Sequence, residues 1–250
     1  MKIYIGMDDT DSRDSEYGTG KVARWLEDSL PEGCRIWGVV RQQLLVDNRI
    51  PYTSHNSSAC MVVYVDDESY LGHIVSLAAD HIERHAVQGS DPGLCVCPDN
   101  YANMPYLIAF SKDCTREVLS QAQAMKAACG AHLSAHGGTG DGIIGAAAAV
   151  GLTACGQCGR FIEYGRLRDL PDPVPVQLLE SIGIMVVSVD RQAPLPSPQD
   201  LVHTNGWLRP RLWAGKALLP VQKDHHGGWT CIGRKKNKGG SENGGKNLLS

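Results

Sequence analysis

Between Lys2 and Ser111 apolar runs with strand spacing and apolar stripes with helical spacing alternate in one order, and that order limits the fold more than any other feature of the chain. Residues 2–7 (KIYIGM) read as a first strand. Gly18 to Ser29 follows as a helix, with Val22, Trp25 and Leu26 at helical spacing, and Pro31-Glu32-Gly33 ends it. Residues 34–46 and 59–65 read as the next two strands. Asp66 to Ser69 supplies acidic and capping residues for a second helix, whose apolar stripe is Leu71, Ile74, Val75, Ala78 and Ile82. "YLIAFS" (106–111) reads as a fourth strand. The sum is an α/β (α+β) chain that opens with a ferredoxin-like βαββαβ unit.

After residue 112 the pattern changes. Thr115 to Ala131 is expected to be a helix, with Val118, Leu119, Ala122, Met125 and Ala128 on one side. A glycine-rich loop, HGGTGDG, occupies 136–142, and the small residues of 143–152 predict a closely packed helix. Strands are expected at 161–168 and 183–189 around a short helix at 176–182. The segment 194–200 reads as a linker, and the tryptophan-bearing stretches after it as a small β appendage. The expected division is 1–112, 113–200, 201–233 for the appendage, and a basic, glycine-rich, disordered tail at 234–250.

Three carboxylates, Asp8, Asp9 and Asp11, crowd the end of the first strand. Like charges this close repel, and burial makes the repulsion worse, so a cation is the natural neutraliser. Mg²⁺ prefers hard oxygen ligands and is often held by one or two carboxylates together with substrate phosphates. A solvated acidic turn with a helix cap accounts for the same residues. A third reading, an Asp-x-Asp phosphatase nucleophile, lacks its final residue, because Asp9-Thr10-Asp11 continues as Ser12-Arg13.

More segments then fall into register. "DDTDS", Gly18-Thr19, "IPYTSHNSSA" (50–59), "DPG" (91–93) and "GGTGDGIIGAAAAVG" (137–151) occur in one order. The set resembles the archaeal tRNA(Ile) 2-agmatinylcytidine synthase family over about residues 1 to 155. Such enzymes join agmatine to the wobble cytidine of an isoleucine tRNA at the expense of ATP. The resemblance implies that Asp8, Asp9 and Asp11 hold Mg²⁺ and act in catalysis with Thr19. It also implies that Thr10, Ser12, Gly18, Tyr52, His55, Asn56, Ser57, Gly137, Gly138, Gly140, Asp141 and Gly142 bind nucleotide or substrate. The departures are specific. Where the family has Lys and Arg after Ile-Pro-Tyr, this chain has Thr53 and His55, and Gly-Asn has become Asn56-Ser57. Both lost cations suit phosphate contacts. A chain of 250 residues also leaves no room for the family's oligonucleotide-binding fold and zinc ribbon.

The expectation is therefore a kinase-like or ligase-like enzyme that uses Mg²⁺ and ATP on a small or amine-bearing substrate. Two alternatives stay open: tRNA modification with partner proteins, and a nucleotide sensor without chemistry. With a net charge of −3, tRNA binding is expected to be weak and carried by Arg234, Lys235, Lys236 and Lys238. No run reaches the length of a membrane span, and nine scattered cysteines without a signal peptide place the protein in the cytoplasm. "CGQC" (155–158) is one Cys-x-x-Cys. A four-ligand zinc site would need Cys231 and one of His203, His225 and His226, so two structural thiols are the favoured reading.

Overall fold

The computed structural model describes residues 1–52, 55–190, 192, 195–224 and 227–232. Thr53, the His225-His226 pair and the basic tail from Arg234 lie outside the described residues. The chain begins with β1 (Lys2–Asp8), α1 (Thr19–Trp25) and a 3₁₀ turn (Leu26–Ser29). β2 (Arg35–Gln43), β3 (Ser57–Tyr64), α2 (Tyr70–His85) and β4 (Gly93–Pro98) complete the βαββαβ unit. The four strands are antiparallel in the order β4-β1-β3-β2.

The fourth strand is not the expected one. "YLIAFS" lies in α3 (Met104–Asp113), and the strand is "GLCVCP" at 93–98. A short apolar run has no periodicity of its own to separate strand from buried helix. Here Leu107, Phe110, Ser111 and Cys114 are buried at helical spacing, and Pro105 opens the helix where a missing N–H costs nothing. In β4 the side chains alternate: Leu94 and Val96 enter the core under α1 and α2, while Cys95 and Cys97 enter the core on the opposite face. The helix expected over 115–131 is also shorter. α4 is Gln121–Ala127, opened by a reciprocal capping box between Ser120 and Gln123. Val118 and Leu119 precede it and face a cleft instead.

β5 (His132–Ala135) adds to the β4 edge, and α5 (Gly142–Cys155) then crosses the sheet on the face opposite α1 and α2. α5 lies close because its residues are small: Ala146 to Val150 are all buried, and Gly6 of β1 faces the Ala146 carbonyl where a Cβ would collide. The remaining elements are β6 (Arg160–Glu163), β7 (Val174–Pro175), α6 (Val176–Ser181), β8 (Ile184–Ser188), β9 (Leu201–His203), β10 (Arg211–Trp213), β11 (Lys216–Lys223) and β12 (Trp229–Cys231). β6 pairs with β2 on one side and β10 on the other, so the sheet runs on through the C-terminal strands around a third core cluster. Among the described residues no helix is long and apolar enough to cross a membrane.

Candidate functional site

The carboxyl end of β1, the N-terminus of α1, residues 49–52 and 55–57 and the N-terminus of α5 enclose one cleft of about 170 Å³. Ten of the residues singled out in the sequence line it: Asp8, Asp9, Asp11, Thr19, Tyr52, His55, Asn56, Ser57, Asp141 and Gly142. Residues distant in the chain meet here because α5 starts where β1 ends. Thr10, Ser12, Gly18, Gly137, Gly138 and Gly140 do not line it. Thr10 is fully buried behind Thr19, and the Ser12 N–H donates to Ser15 Oγ in a turn at 12–15. Gly18 is the N-cap residue of α1, where a Cβ would touch the Asp11 carboxylate.

The acidic cluster divides its work. Asp11 Oδ1 accepts the Thr19 backbone N–H (3.2 Å) and the Thr19 hydroxyl (3.0 Å), so it caps α1 from eight residues upstream. Thr19 Oγ1 in turn accepts the Thr10 N–H and the Thr10 hydroxyl, both at 3.2 Å. The hydroxyl is thereby fixed, with its own proton directed at a carboxylate. Asp8 and Asp9 face the cleft. Burial, together with the neighbouring charges of Asp9, Asp11 and Asp91, pushes the Asp8 carboxyl up to about 8. Burial and the charges of Asp91, Asp11 and Asp141 push Asp9 up to about 6. Asp9 also holds a left-handed backbone, with φ of 49°, which few residues besides Gly, Asn and Asp accept.

Asp91 belongs to the site and was passed over in the sequence, although it opens the "DPG" segment. Its carboxylate accepts the N–H groups of Thr139 (3.1 Å), Gly140 (2.7 Å) and Asp141 (3.1 Å) and the Thr139 hydroxyl. The glycine-rich loop thus turns its amides onto a carboxylate of the protein itself. Gly138, with φ of 57°, leaves room for that carboxylate; a side chain there would overlap it. Asp141 is held by Gln121, whose Nε2 donates to Asp141 Oδ1 at 2.7 Å. Asp91→Ala is expected to cost about 2–4 kcal/mol, because one charged acceptor serves four donors. Amide exchange at Thr139, Gly140 and Asp141 should speed up by at least tenfold. Unchanged protection would mean that the loop is held by something else.

Gly145 is another cleft residue the sequence did not single out, as are Arg49 and Glu117. It lines the cleft with its α-carbon against the Asp8 carboxylate. Only its place among small residues on α5 pointed to it.

Among the described residues no group of three His, Cys, Asp or Glu side chains is arranged to hold a metal ion. Cys158 Sγ donates to Gln42 Oε1 (3.4 Å), and Cys231 is buried in the third core cluster. Mg²⁺ is commonly held by one or two carboxylates together with substrate phosphates, and Asp8 and Asp9 are two carboxylates that line this cleft.

Fold and cleft define the class: an α+β protein of ferredoxin-like core whose first strand ends in an acidic cleft under a glycine-rich helix N-terminus. No protein-family model matches the chain, and no curated protein does. Solved structures do. The chain is 27% identical to a tRNA fluorescent labeling enzyme, with a TM-score of 0.51 over 60% of this chain and 36% of that one. It is 26% identical to apo TiaS, an agmatidine synthetase acting on an isoleucine tRNA, with a TM-score of 0.50 over 60% and 35%. It is 25% identical to TiaS in complex with that tRNA and ATP, with a TM-score of 0.51 over 60% and 36%. The chain is thus a relative of TiaS, and it spans about a third of the length of the chains it matches.

Proposed function

We propose that this chain carries out ATP-dependent phosphoryl transfer or ligation on a small, amine-bearing substrate, on the catalytic core it shares with agmatidine synthetase. One observation carries the reading. The cleft joins a buried hydroxyl with a carboxylate base, two carboxylates of raised affinity for protons, and the start of a 14-residue helix. The relative solved with ATP supports nucleotide use.

Asp8 and Asp9 would hold Mg²⁺, which when bound supplies positive charge to offset that of the phosphates. Asp11 orients Thr19 and is placed to receive its proton. In the proposed first step Thr19 Oγ1 attacks the γ-phosphorus of ATP, its proton passes to Asp11, and ADP leaves with the electrons of the broken P–O bond. A hydroxyl within hydrogen-bond reach of a fixed base is the arrangement such nucleophiles need. His55 and Asn56 line the opposite wall, and Asp141 offers a carboxylate for an amine. The relative solved with an isoleucine tRNA favours a second reading, in which the acceptor is a tRNA cytidine.

Millimolar Mg²⁺-ATP is expected to raise the melting temperature by several degrees, because a ligand that binds only the folded state stabilises it by mass action. Asp9→Asn should remove most of that rise without unfolding the apo protein. Incubation with ATP should add one phosphate to Thr19 by mass spectrometry, and Thr19→Ala should abolish it. The absence of any shift in the parent protein would sink nucleotide binding. A shift without phosphate on Thr19 would sink the covalent step alone.

A further inference from the structure

Outside the cleft, three arginines stand directly opposite one another on three adjacent antiparallel strands. Arg41 of β2 pairs with Arg160 of β6, and Arg160 pairs with Arg211 of β10. Residues in direct register project from the same face of a sheet, and like charges placed so are destabilising. The face is that of α1: Val39, two residues before Arg41, enters the core under α1 and α2, and so does Ile162, two residues after Arg160. Among the described residues no carboxylate forms an ion pair with any of the three. Their mutual repulsion is felt: burial and Arg160 lower the Arg41 pKa, and burial and Arg211 lower that of Arg160. By contrast Arg24, Arg168 and Arg209 gather near a carboxylate, Glu163, with Arg168 at 3.6 Å.

Two further contacts say what the row could take. Arg41 Nε donates to Ser57 Oγ (2.9 Å), and Ser57 lines the cleft, so the row starts at the cleft wall. Trp213, two residues beyond Arg211 on β10 and so on the same face, is 56% exposed. A row of cations at strand spacing, about 5 Å apart, beside an exposed aromatic ring is the combination that holds a phosphodiester chain and stacks one of its bases.

We propose that Arg41, Arg160 and Arg211, with Trp213, form a binding track for a single-stranded nucleic acid that leads to the cleft. A compact anion would need neither the length of the row nor the exposed indole. Arg160, Arg211 and Trp213 lie beyond the segment that resembles the synthetase family, and the track stands on observations independent of the ATP reading.

The test is fluorescence anisotropy of a 5′-fluorescein, 12-nucleotide, mixed-sequence single-stranded RNA with the full chain, without ATP. Three neutralised phosphates predict a log–log salt slope of about −2. Arg160→Gln/Arg211→Gln should weaken binding at least tenfold and flatten the slope by more than one. Its melting temperature should be no lower than that of the parent, since repulsion is relieved. Trp213→Ala, at an exposed site, should weaken binding about tenfold with the slope unchanged. The duplex of the same sequence should bind at least tenfold more weakly, since its bases cannot stack on the indole. A loss of less than tenfold in the double variant, full affinity in Trp213→Ala, or equal binding of the duplex would each overturn the track. So would a variant with Gln at 234, 235, 236 and 238 that loses the binding while the double variant keeps it.

Discussion

Gly145→Ala is expected to destabilise this protein strongly. The added Cβ would fall on the Asp8 side chain, with its Oδ2, Cγ and Cβ all in the way. Neither partner can step aside, because α5 is clamped on the sheet by buried alanines and Asp8 ends a central strand. Overpacking of this kind costs about 1–3 kcal/mol or more. Urea unfolding should show it as a fall in midpoint at unchanged slope. Gly72→Ala is the control: nothing lies within 4 Å of a Cβ on that α2 glycine, so helix propensity should make it stabilising by about 0.5–1 kcal/mol. Gly145→Ala combined with Asp8→Ala should recover at least about 1 kcal/mol relative to the sum of the two single changes, because the second removes the atoms the first collides with. Strict additivity would show that the contact is not the cause.

Asp8→Asn is expected to stabilise the protein in the absence of divalent cations and ATP, and to do so more strongly as pH rises. The sign follows from the direction of the shift. The Asp8 carboxyl titrates at about 8 in the fold and at 3.8 in the unfolded chain. Between those values the folded state holds a proton that the unfolded chain has released, so stability falls as pH climbs from 4 to 8. Asn carries no such liability. The difference between variant and parent should be near zero at pH 4 and on the order of 4 kcal/mol at pH 8, allowing for the part of the carboxylate that water reaches. Asp9, raised to about 6, adds a smaller effect of the same sign that is complete by about pH 6. Urea unfolding at pH 4.5, 6 and 8 with EDTA measures both. A pH-independent difference would mean that Asp8 is not held protonated. Mg²⁺-ATP should then stabilise the parent but not Asp8→Asn, so the same residue that costs stability in the apo protein would be needed for the ligand.

Where the sequence reading failed, it failed for lack of a tertiary partner. "YLIAFS" carries no period that excludes a strand, and only its packing against α5 makes Leu107, Phe110 and Ser111 a helical face. In "GLCVCP" Leu94 and Val96 alternate with Cys95 and Cys97, yet an alternating segment does not announce which strand of a unit it is. Asp91 was passed over because a carboxylate beside a proline looks like any turn, until the loop from 139 to 141 folds its amides onto it.

Local patterning by itself determined the α+β class, the cluster of Asp8, Asp9 and Asp11 at the end of β1 and the small-residue helix expected at 143–152, since each is written in residues near one another in the chain; Thr19 came forward only through the family resemblance. Tertiary structure alone decided the rest. It set Gly145 against Asp8, folded the glycine loop onto Asp91, and laid Arg41, Arg160 and Arg211 in one row although 170 positions separate the first from the last. Strand register brings together residues whose spacing in the chain has no period, so no local pattern in a sequence of net charge −3 could have shown that row.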